Sequence, residues 1–353
     1  MRFDVVVVGG GPGGAMSAYE LSRSGLKVLL IEKRALPRFK LCAGCLSARV
    51  EKLLPTGWDS LIKHTIRMGT LGYKGEESFT FSCFKPLAYI VDRSEFDYFL
   101  VKKALEAGAE VWDGCEFLGF NEGKRMEILT SRGKVEAEFL IGADGFYSKV
   151  AKALGYKKDK FFRSLEFFSE TGLDQEVRID VGLVERGYAW VFPNSVGIAS
   201  AGKDELLEIL KVYTKRLGLK ESSRIHGWHI PFLEKEKDFH SGSGRVLLVG
   251  DASNCVDPLL GEGIYYALYG AILAVRAIIT NPSNPNLEYK RLSKPMIKEL
   301  IYAGRIARIA YQFQKWAYMW GKKGALKAYY KLLTGEYTYK SLFFKAWLRL
   351  FLS

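Results

Sequence analysis

Phe3-Asp4-Val5-Val6-Val7-Val8 is an apolar, β-branched run without polar alternation, the pattern of a parallel strand buried on both faces. It passes directly into Gly9-Gly10-Gly11-Pro12-Gly13-Gly14. Ala15, Ala18, Tyr19, Leu21 and Ser22 then follow a helical pattern that stops at Ser24-Gly25. Lys27-Val28-Leu29-Leu30-Ile31 is the next strand, with Glu32 at its carboxyl end. Two later runs repeat the theme. Glu138-Phe139-Leu140-Ile141-Gly142-Ala143 closes on the turn Asp144-Gly145, with a helix starting near Ser148. Gly244-Arg245-Val246-Leu247-Leu248-Val249 ends in Gly250-Asp251 and continues through Asp257-Pro258 and Gly261-Glu262-Gly263-Ile264 into a helix over 265–279. Buried strands followed by helices define an α/β fold around a Rossmann-type unit.

The pattern changes between these pieces. Residues 64–87 and 159–235 alternate aromatic and polar positions, as in Phe79-Thr80-Phe81-Ser82, which predicts an antiparallel sheet. The expected organisation is a discontinuous nucleotide-binding domain of residues 1–63, 88–158 and 236–281. An antiparallel-sheet substrate domain of 64–87 and 159–235 roofs it, and C-terminal helices occupy 282–353. Asn281-Pro282-Ser283-Asn284-Pro285-Asn286 is the break before them. Helical patterns run over 294–320, 324–333 and 339–352. In the last, Leu342, Phe343, Ala346, Trp347, Leu350 and Phe351 share a face while Lys340, Lys345 and Arg349 cluster elsewhere. Such a helix either lies in a lipid headgroup layer or docks on the protein.

The first glycine loop has a physical job at each position. Gly9, Gly11 and Gly14 fit G-x-G-x-x-G: a tight turn, close approach to a pyrophosphate, and close helix–strand packing. Glu32 stands where a carboxylate accepts hydrogen bonds from a ribose diol and disfavours a 2′-phosphate, so the expected adenosine is that of FAD or NAD.

The glycine loop, Asp144-Gly145, and Gly250-Asp251 with Pro258 and Gly261-x-Gly263 together resemble the three FAD fingerprints of the group-A flavoprotein monooxygenase and geranylgeranyl reductase superfamily. One further segment resembles a pattern of these flavoproteins, and two resemble the geranylgeranyl reductase family in particular. Pro37-Arg38-Phe39-Lys40-Leu41-Cys42-Ala43-Gly44 is similar to its Pro-Arg-x-Lys-x-Cys-[AG]-Gly stretch. Gly187-Tyr188-Ala189-Trp190-Val191-Phe192-Pro193 is similar to its Tyr-x-Trp-x-Phe-Pro cavity motif. Arg93-Ser94-Glu95-Phe96-Asp97 is similar to the Arg-x-x-Phe-Asp pattern that these flavoproteins use beside the flavin. The chain departs from that family directly afterwards, with Asn194-Ser195-Val196-Gly197-Ile198-Ala199 where a lysine and a longer spacer are common.

The resemblance, which spans about residues 1–280, implies a Rossmann-type FAD domain of the hydroxybenzoate-hydroxylase kind. It implies FAD contacts from Gly9, Gly11, Pro12, Gly13, Gly14, Glu32, Lys33, Arg38, Cys42, Ala43 and Gly44. Further contacts are implied from Arg93, Asp144, Gly250, Asp251, Pro258, Gly261, Gly263 and Ile264. Substrate contacts are implied from Tyr188, Trp190, Phe192 and Pro193, and the catalytic candidates are Cys42, Tyr188 and Trp190. The implied reaction is hydride transfer from flavin N5 to a C=C bond of a polyprenyl lipid, quinone or alcohol. The alternative from the wider superfamily is hydroxylation of an aromatic or polyprenoid substrate. Only one dinucleotide motif is visible, so electrons come from NAD(P)H bound transiently or from a carrier protein such as ferredoxin.

Charge and cysteine content adjust this picture. The 353 residues carry 52 Lys and Arg against 39 Asp and Glu, a net +13. From Lys290 onward there are 14 basic residues and two acids, so +12 of that charge lies in the tail, beside 14 of the 48 aromatic residues. With no nucleic-acid module in the tail, an anionic membrane surface is the expected partner rather than nucleic acid. Five cysteines, an odd number, argue against a disulfide scaffold. Cys42-x-x-Cys45 lacks the second pair a zinc site wants, and His64, His226, His229 and His240 are scattered, so no metal is expected. No basic leader precedes the first strand and the longest charge-free stretch holds Pro193, so the expected location is cytoplasmic, peripheral at the inner membrane face.

Overall fold

The computed structural model describes residues 1–221 and 224–344, with the side chains of 323 and 325–329 left out. β1 (Val5–Val8) enters α1 (Pro12–Arg23) through the glycine loop, and β2 (Val28–Ile31) follows. Short β3 (Cys45–Ser47) and β4 (Ile62–Ile66) precede a hairpin of β5 (Met68–Tyr73) and β6 (Glu77–Ser82). β7 (Ala88–Val91) feeds α2 (Arg93–Glu106), whose N-cap Asp92 accepts from the Ser94 and Glu95 amides at 2.7 and 3.2 Å. Next come β8 (Glu110–Trp112) and the meander β9 (Phe117–Asn121), β10 (Met126–Thr130) and β11 (Gly133–Ala137). β12 (Phe139–Gly142) leads to α3 (Lys149–Ala153), then β13 (Phe161–Phe168), β14 (Glu176–Val181), β15 (Gly187–Phe192) and β16 (Ser195–Ser200). α4 (Leu206–Arg216) precedes β17 (His226–Pro231), β18 (Gly242–Ser243) and β19 (Val246–Leu248). The chain then becomes helical: α5 (Ile264–Thr280), α6 (Pro285–Gln312), α7 (Gln314–Trp320) and α8 (Leu326–Leu333).

The first sheet has the order β18-β19-β12-β1-β2-β8, parallel except where β18 meets β19. Val5, Val7, Val28 and Leu30 pack toward α1, α2 and α5. Val6, Val8, Leu29 and Ile31 pack toward the β9–β11 meander and Val150 of α3. Covering both faces is why these strands read as unbroken apolar runs.

The second sheet has the order β17-β13-β16-β15-β14-β5-β6. α4 covers one face through Leu206, Leu210 and Tyr213. Every junction is antiparallel except β14 with β5, which are parallel. The antiparallel sheet expected from the sequence thus carries one parallel junction. No hairpin joins β5 to β14, so nothing forces those strands to run in opposite directions.

The tail also differs from its pattern. The break expected over 281–286 shrinks to 281–284, and α6 starts at Pro285 rather than at 294, running through Pro295. Proline suits a first helical turn. At Pro295 burial of neighbouring Ser293, Met296 and Ile297 outweighs the lost backbone bond. The single helix expected over 294–320 breaks at Phe313, and the one expected from 324 starts at Leu326. In the stretch expected over 339–352, Tyr339 is buried and Leu342 packs beside it. Residues 345–353, with Ala346, Trp347, Leu350 and Phe351, lie outside the described residues.

Candidate active site

α1 begins where β1 ends, so its free N–H groups face the carboxyl ends of the parallel strands. Around a Cβ placed on Gly11 the nearest atom is Arg38 Nη2 at 3.6 Å, which leaves open the space an anion would take. Gly14 is the opposite case. A Cβ there would lie 1.8 Å from the Gly9 carbonyl oxygen, so helix and loop touch backbone to backbone.

Glu32 brings its carboxylate over this loop. Oε2 accepts from Gly10 N at 2.9 Å and Arg38 Nε at 3.1 Å, and Oε1 accepts from Arg34 N at 3.1 Å. Arg38 Nη1 also donates to Asp97 Oδ2 at 3.1 Å, and Arg93 holds Asp97 through Nε and Nη2 at 2.9 and 3.1 Å. Two acids and two guanidiniums thus form one neutral line in which Glu32, Asp97 and Arg93 are buried. Burial opposes the Arg93 charge, but Asp97 and then Cys42 outweigh it and raise its pKa. Lys40 lies deeper, its Nζ 4.0 Å from the Trp228 ring centroid; burial, then Arg93, lowers its pKa.

Two other loops complete the cradle. Asp144 is committed to α3, accepting from Ser148 Oγ at 2.5 Å and the Lys149 and Val150 amides at 2.7 and 3.3 Å. Burial raises its pKa despite those bonds. The Gly250-Asp251 loop is fixed by Lys158, whose Nζ donates to Asp251 O, Ala252 O and Asn254 Oδ1 at 2.6 to 2.8 Å. Burial brings Lys158 down to about 8. The Asp251 carboxylate sits at the α5 amino terminus, with Oδ1 3.6 Å from a Cβ built on Gly263.

The loop 257–263 is pinned by three tyrosines from distant elements. Tyr188 of β15 donates to Leu260 O at 2.6 Å, Tyr311 of α6 donates to Leu259 O, and Tyr339 donates to Asp257 Oδ2. Asp257 is buried, which raises its carboxyl to about 6. Glu262, on the same loop, binds Arg49 Nη2 and accepts from Ser47 Oγ.

All of this borders one cavity of about 1700 Å³ that runs from the glycine loop to the C-terminal helices. Ligand pockets of about 300–1,000 Å³ hold one small molecule, so this space is larger than one such ligand needs. Its roof is the second sheet. Tyr188, Trp190 and Phe192 project from one face of β15, beside Ser195, Gly197 and Ala199 of β16. The Trp190 ring crosses Gly197 so closely that a Cβ there would lie 2.2 Å from Cζ2. The far end is walled by Ile306, Ala310, Trp316, Ala317, Trp320 and Leu342.

Gly9, Gly11, Pro12, Gly13, Glu32, Lys33, Arg38, Cys42, Ala43 and Arg93 line this one cavity. So do Asp144, Gly250, Asp251, Gly261, Gly263, Ile264, Tyr188, Trp190 and Phe192. Four of the residues singled out in the sequence lie off it. Gly14 and Gly44 act behind the wall by backbone packing: a Cβ on Gly44 would lie 1.9 Å from Val91 O. Pro193 forms the β15–β16 turn, and Pro258 packs toward Gly304 of α6. Cys45 is buried, which raises its thiol to about 12. Cys42 Sγ lies 3.5 Å from Gly44 N, and no disulfide joins any of the five cysteines. Among the described residues no cluster of three or more His, Cys, Asp or Glu could hold a metal.

Sequence reasoning missed Lys158, Tyr311, Tyr339 and Glu166. The tyrosines carry no local signal, being aromatics at helical spacing. Glu166 was the legible one, a lone acid within the apolar strand Phe161–Phe168.

Residues 2–180 match the family model of the FAD binding domain. The structure fits that group: the space before α1 is open, Glu32 has room to accept from a ribose, and Asp251 stands at a second helix terminus on the same cavity. Digeranylgeranylglycerophospholipid reductase 1 of Methanopyrus kandleri is 30% identical over 306 residues, 76% of this chain and 78% of that protein. Geranylgeranyl diphosphate reductase of Rhodobacter capsulatus is 28% identical over 298 residues, 78% and 75% of the two chains. In fold, the geranylgeranyl bacteriochlorophyll reductase-like protein of Thermoplasma acidophilum superposes with a TM-score of 0.76 at 23% identity, covering 88% of this chain and 87% of the other.

Proposed function

The chain belongs to the geranylgeranyl reductase family of FAD-dependent oxidoreductases, and on that premise we propose that it saturates C=C bonds of a polyprenyl chain carried by a lipid, quinone or alcohol. The observation that carries this reading is the single cavity, about 1700 Å³, which continues from the FAD cradle between the aromatic roof and the C-terminal helices. Reduced FAD supplies a hydride to one carbon of the double bond. The protein supplies position and dryness. Trp190, Tyr188 and Phe192 hold an apolar chain against the cradle, while the tyrosine-pinned loop 257–263 fixes the floor. Asp251 and the Glu32–Arg38–Asp97–Arg93 line, which border the same cavity, would hold the cofactor.

The test is anaerobic. Protein reduced chemically and mixed with a geranylgeranylated lipid should regain oxidised-flavin absorbance as saturated prenyl product forms. Unchanged absorbance, together with substrate-stimulated oxygen consumption in air, would establish a hydroxylase instead. The electron donor in this reading is NAD(P)H or a carrier protein such as ferredoxin.

Substrate entry is proposed at the α6–α7 corner. Trp316 lines the cavity and is 43% exposed, with Phe313 54% and Met319 44% exposed beside it. Arg305, Arg308 and Lys315 are exposed on the same helices, a pairing suited to an anionic lipid surface. No described helix is long and apolar enough to cross a membrane. Vesicles containing anionic lipid should bind the protein at low salt and release it at high salt, and the double variant Phe313→Ser, Trp316→Ser should bind more weakly at every salt concentration. Equal binding by the variant would remove this corner from the reading.

A further inference from the structure

We propose that Glu166 is the acid that supplies the proton for alkene saturation, on the carbon that does not receive the hydride. The assignment rests on the reductase reading above. Its basis is the roof of the cavity, where the registers of β17, β13, β16 and β15 place His226, Glu166, Gly197 and Trp190 side by side. Glu166 is 4% exposed and lines the cavity. Its Oε1 has no hydrogen-bond partner, and neither has Trp190 Nε1 or Ser195 Oγ beside it. A carboxyl oxygen left without a partner in a dry wall is costly to keep unless the group is protonated or serves a ligand.

Two other groups on this cavity are less suited as proton sources. The Tyr188 hydroxyl is spent on Leu260 O at 2.6 Å, and burial raises its pKa far from neutrality. Cys45 is raised to about 12 by burial. Burial also raises Glu166, to about 7, against the opposing pull of Ser195, Trp190, Lys40 and Arg93. A general acid works best when its pKa is near the working pH. The charged and titratable groups around Glu166 are therefore His226 from β17, Tyr188 from β15, Lys40 from the cradle loop and Arg93 from α2.

The step balances. The hydride leaves reduced FAD with its electron pair and forms one C–H bond. The Glu166 O–H bond breaks as the second C–H bond forms on the neighbouring carbon. The alkene gains two hydrogens and two electrons, the flavin loses two electrons, and the Glu166 carboxylate is recharged from water. His226, the cross-strand neighbour of Glu166, has its ring centroid 5.4 Å from the ring of Phe39, which is 52% exposed.

Two measurements test the assignment, on the holoenzyme and on Glu166→Gln, which keeps the side-chain shape. Infrared difference spectra of oxidised, substrate-free protein should show a buried carboxylic acid band that fades as pH rises through about 7 and is absent from Glu166→Gln. If no band titrates there in the unmodified protein, the assignment is overturned. In rapid mixing of reduced enzyme with prenyl lipid, Glu166→Gln should reoxidise about 100-fold more slowly, or worse, with unchanged flavin content, and Glu166→Asp should recover part of the rate. Glu166→Gln reoxidising as fast as the unmodified enzyme overturns the assignment alone. An unmodified enzyme that leaves the lipid untouched overturns the functional reading and this assignment with it. Should Glu166→Gln fail to retain FAD, the pH profile decides: unmodified enzyme must lose its reoxidation rate as pH rises above about 7 and show a solvent deuterium effect.

Discussion

Gly14→Val is expected to yield a folded protein that purifies without flavin. The reason is local and steric. A Cβ at this position would sit 1.8 Å from the Gly9 carbonyl oxygen and 3.2 Å from Ala143 Cβ. The obstacle is loop backbone on one side, at Gly9, and on the other the Ala143 methyl, fixed to the chain that follows β12. No rotamer change relieves that contact, so α1 must move away from β1. Its N–H groups then no longer converge on the pyrophosphate site. Overpacking of this kind costs at least about 1–3 kcal/mol before any loss of ligand contacts, so the FAD dissociation constant should rise more than about 100-fold. Flavin absorbance per protein and titration of the apoprotein with FAD would measure it. Gly119→Ala is the control, since its Cβ meets nothing nearer than Leu129 Cδ1 at 4.0 Å. Full flavin occupancy in Gly14→Val would show that loop and helix are not locked together as described.

Glu262→Ala should cost about 3–5 kcal/mol of stability, the typical loss when one partner of a buried ion pair is removed. Glu262 and Arg49 are each 12% exposed, and Glu262 also accepts from Ser47 Oγ. Arg49 lies 3.8 Å from the Tyr265 ring centroid and 5.0 Å from that of Tyr266, with Nε unpaired. Truncating the acid strands this guanidinium between rings that cannot replace a carboxylate. The double variant Arg49→Met, Glu262→Leu should recover most of the loss, because it removes the charge as well as its partner. Denaturant unfolding of all three proteins distinguishes the cases. A Glu262→Ala loss below about 1 kcal/mol would show that the pair is solvated like a surface bridge.

Much of the architecture was legible because the signal was local. Val5–Val8, the glycine loop, α1, β2 and Glu32 follow one another within about 30 residues, and each depends only on its neighbours. The same holds for β12 with Asp144 and β19 with Gly250-Asp251, which is why the nucleotide cradle could be listed by residue. The side on which Tyr188 and Trp190 face followed from the two-residue period of a strand.

What the sequence left dark was long-range. The tail read as a basic, aromatic appendage beyond the cradle, yet Tyr311 and Tyr339 reach back to hold the 257–263 loop, and α6 and α7 close the cavity. Helical spacing says that an aromatic residue is buried but not against what. The role of Lys158 was hidden for a related reason, and so was that of Glu166, of which the sequence displayed only an acid within an apolar strand. Their roles come from where burial strips water from a charge, and that is set by elements up to 126 residues away in the chain. By itself the sequence determined a dinucleotide cradle with an aromatic strand beside it, since backbone geometry and period fix those locally. Only the tertiary structure decided that the tail walls the same cavity and that one unpaired carboxyl looks into it, because desolvation and cross-strand register exist only once distant segments meet.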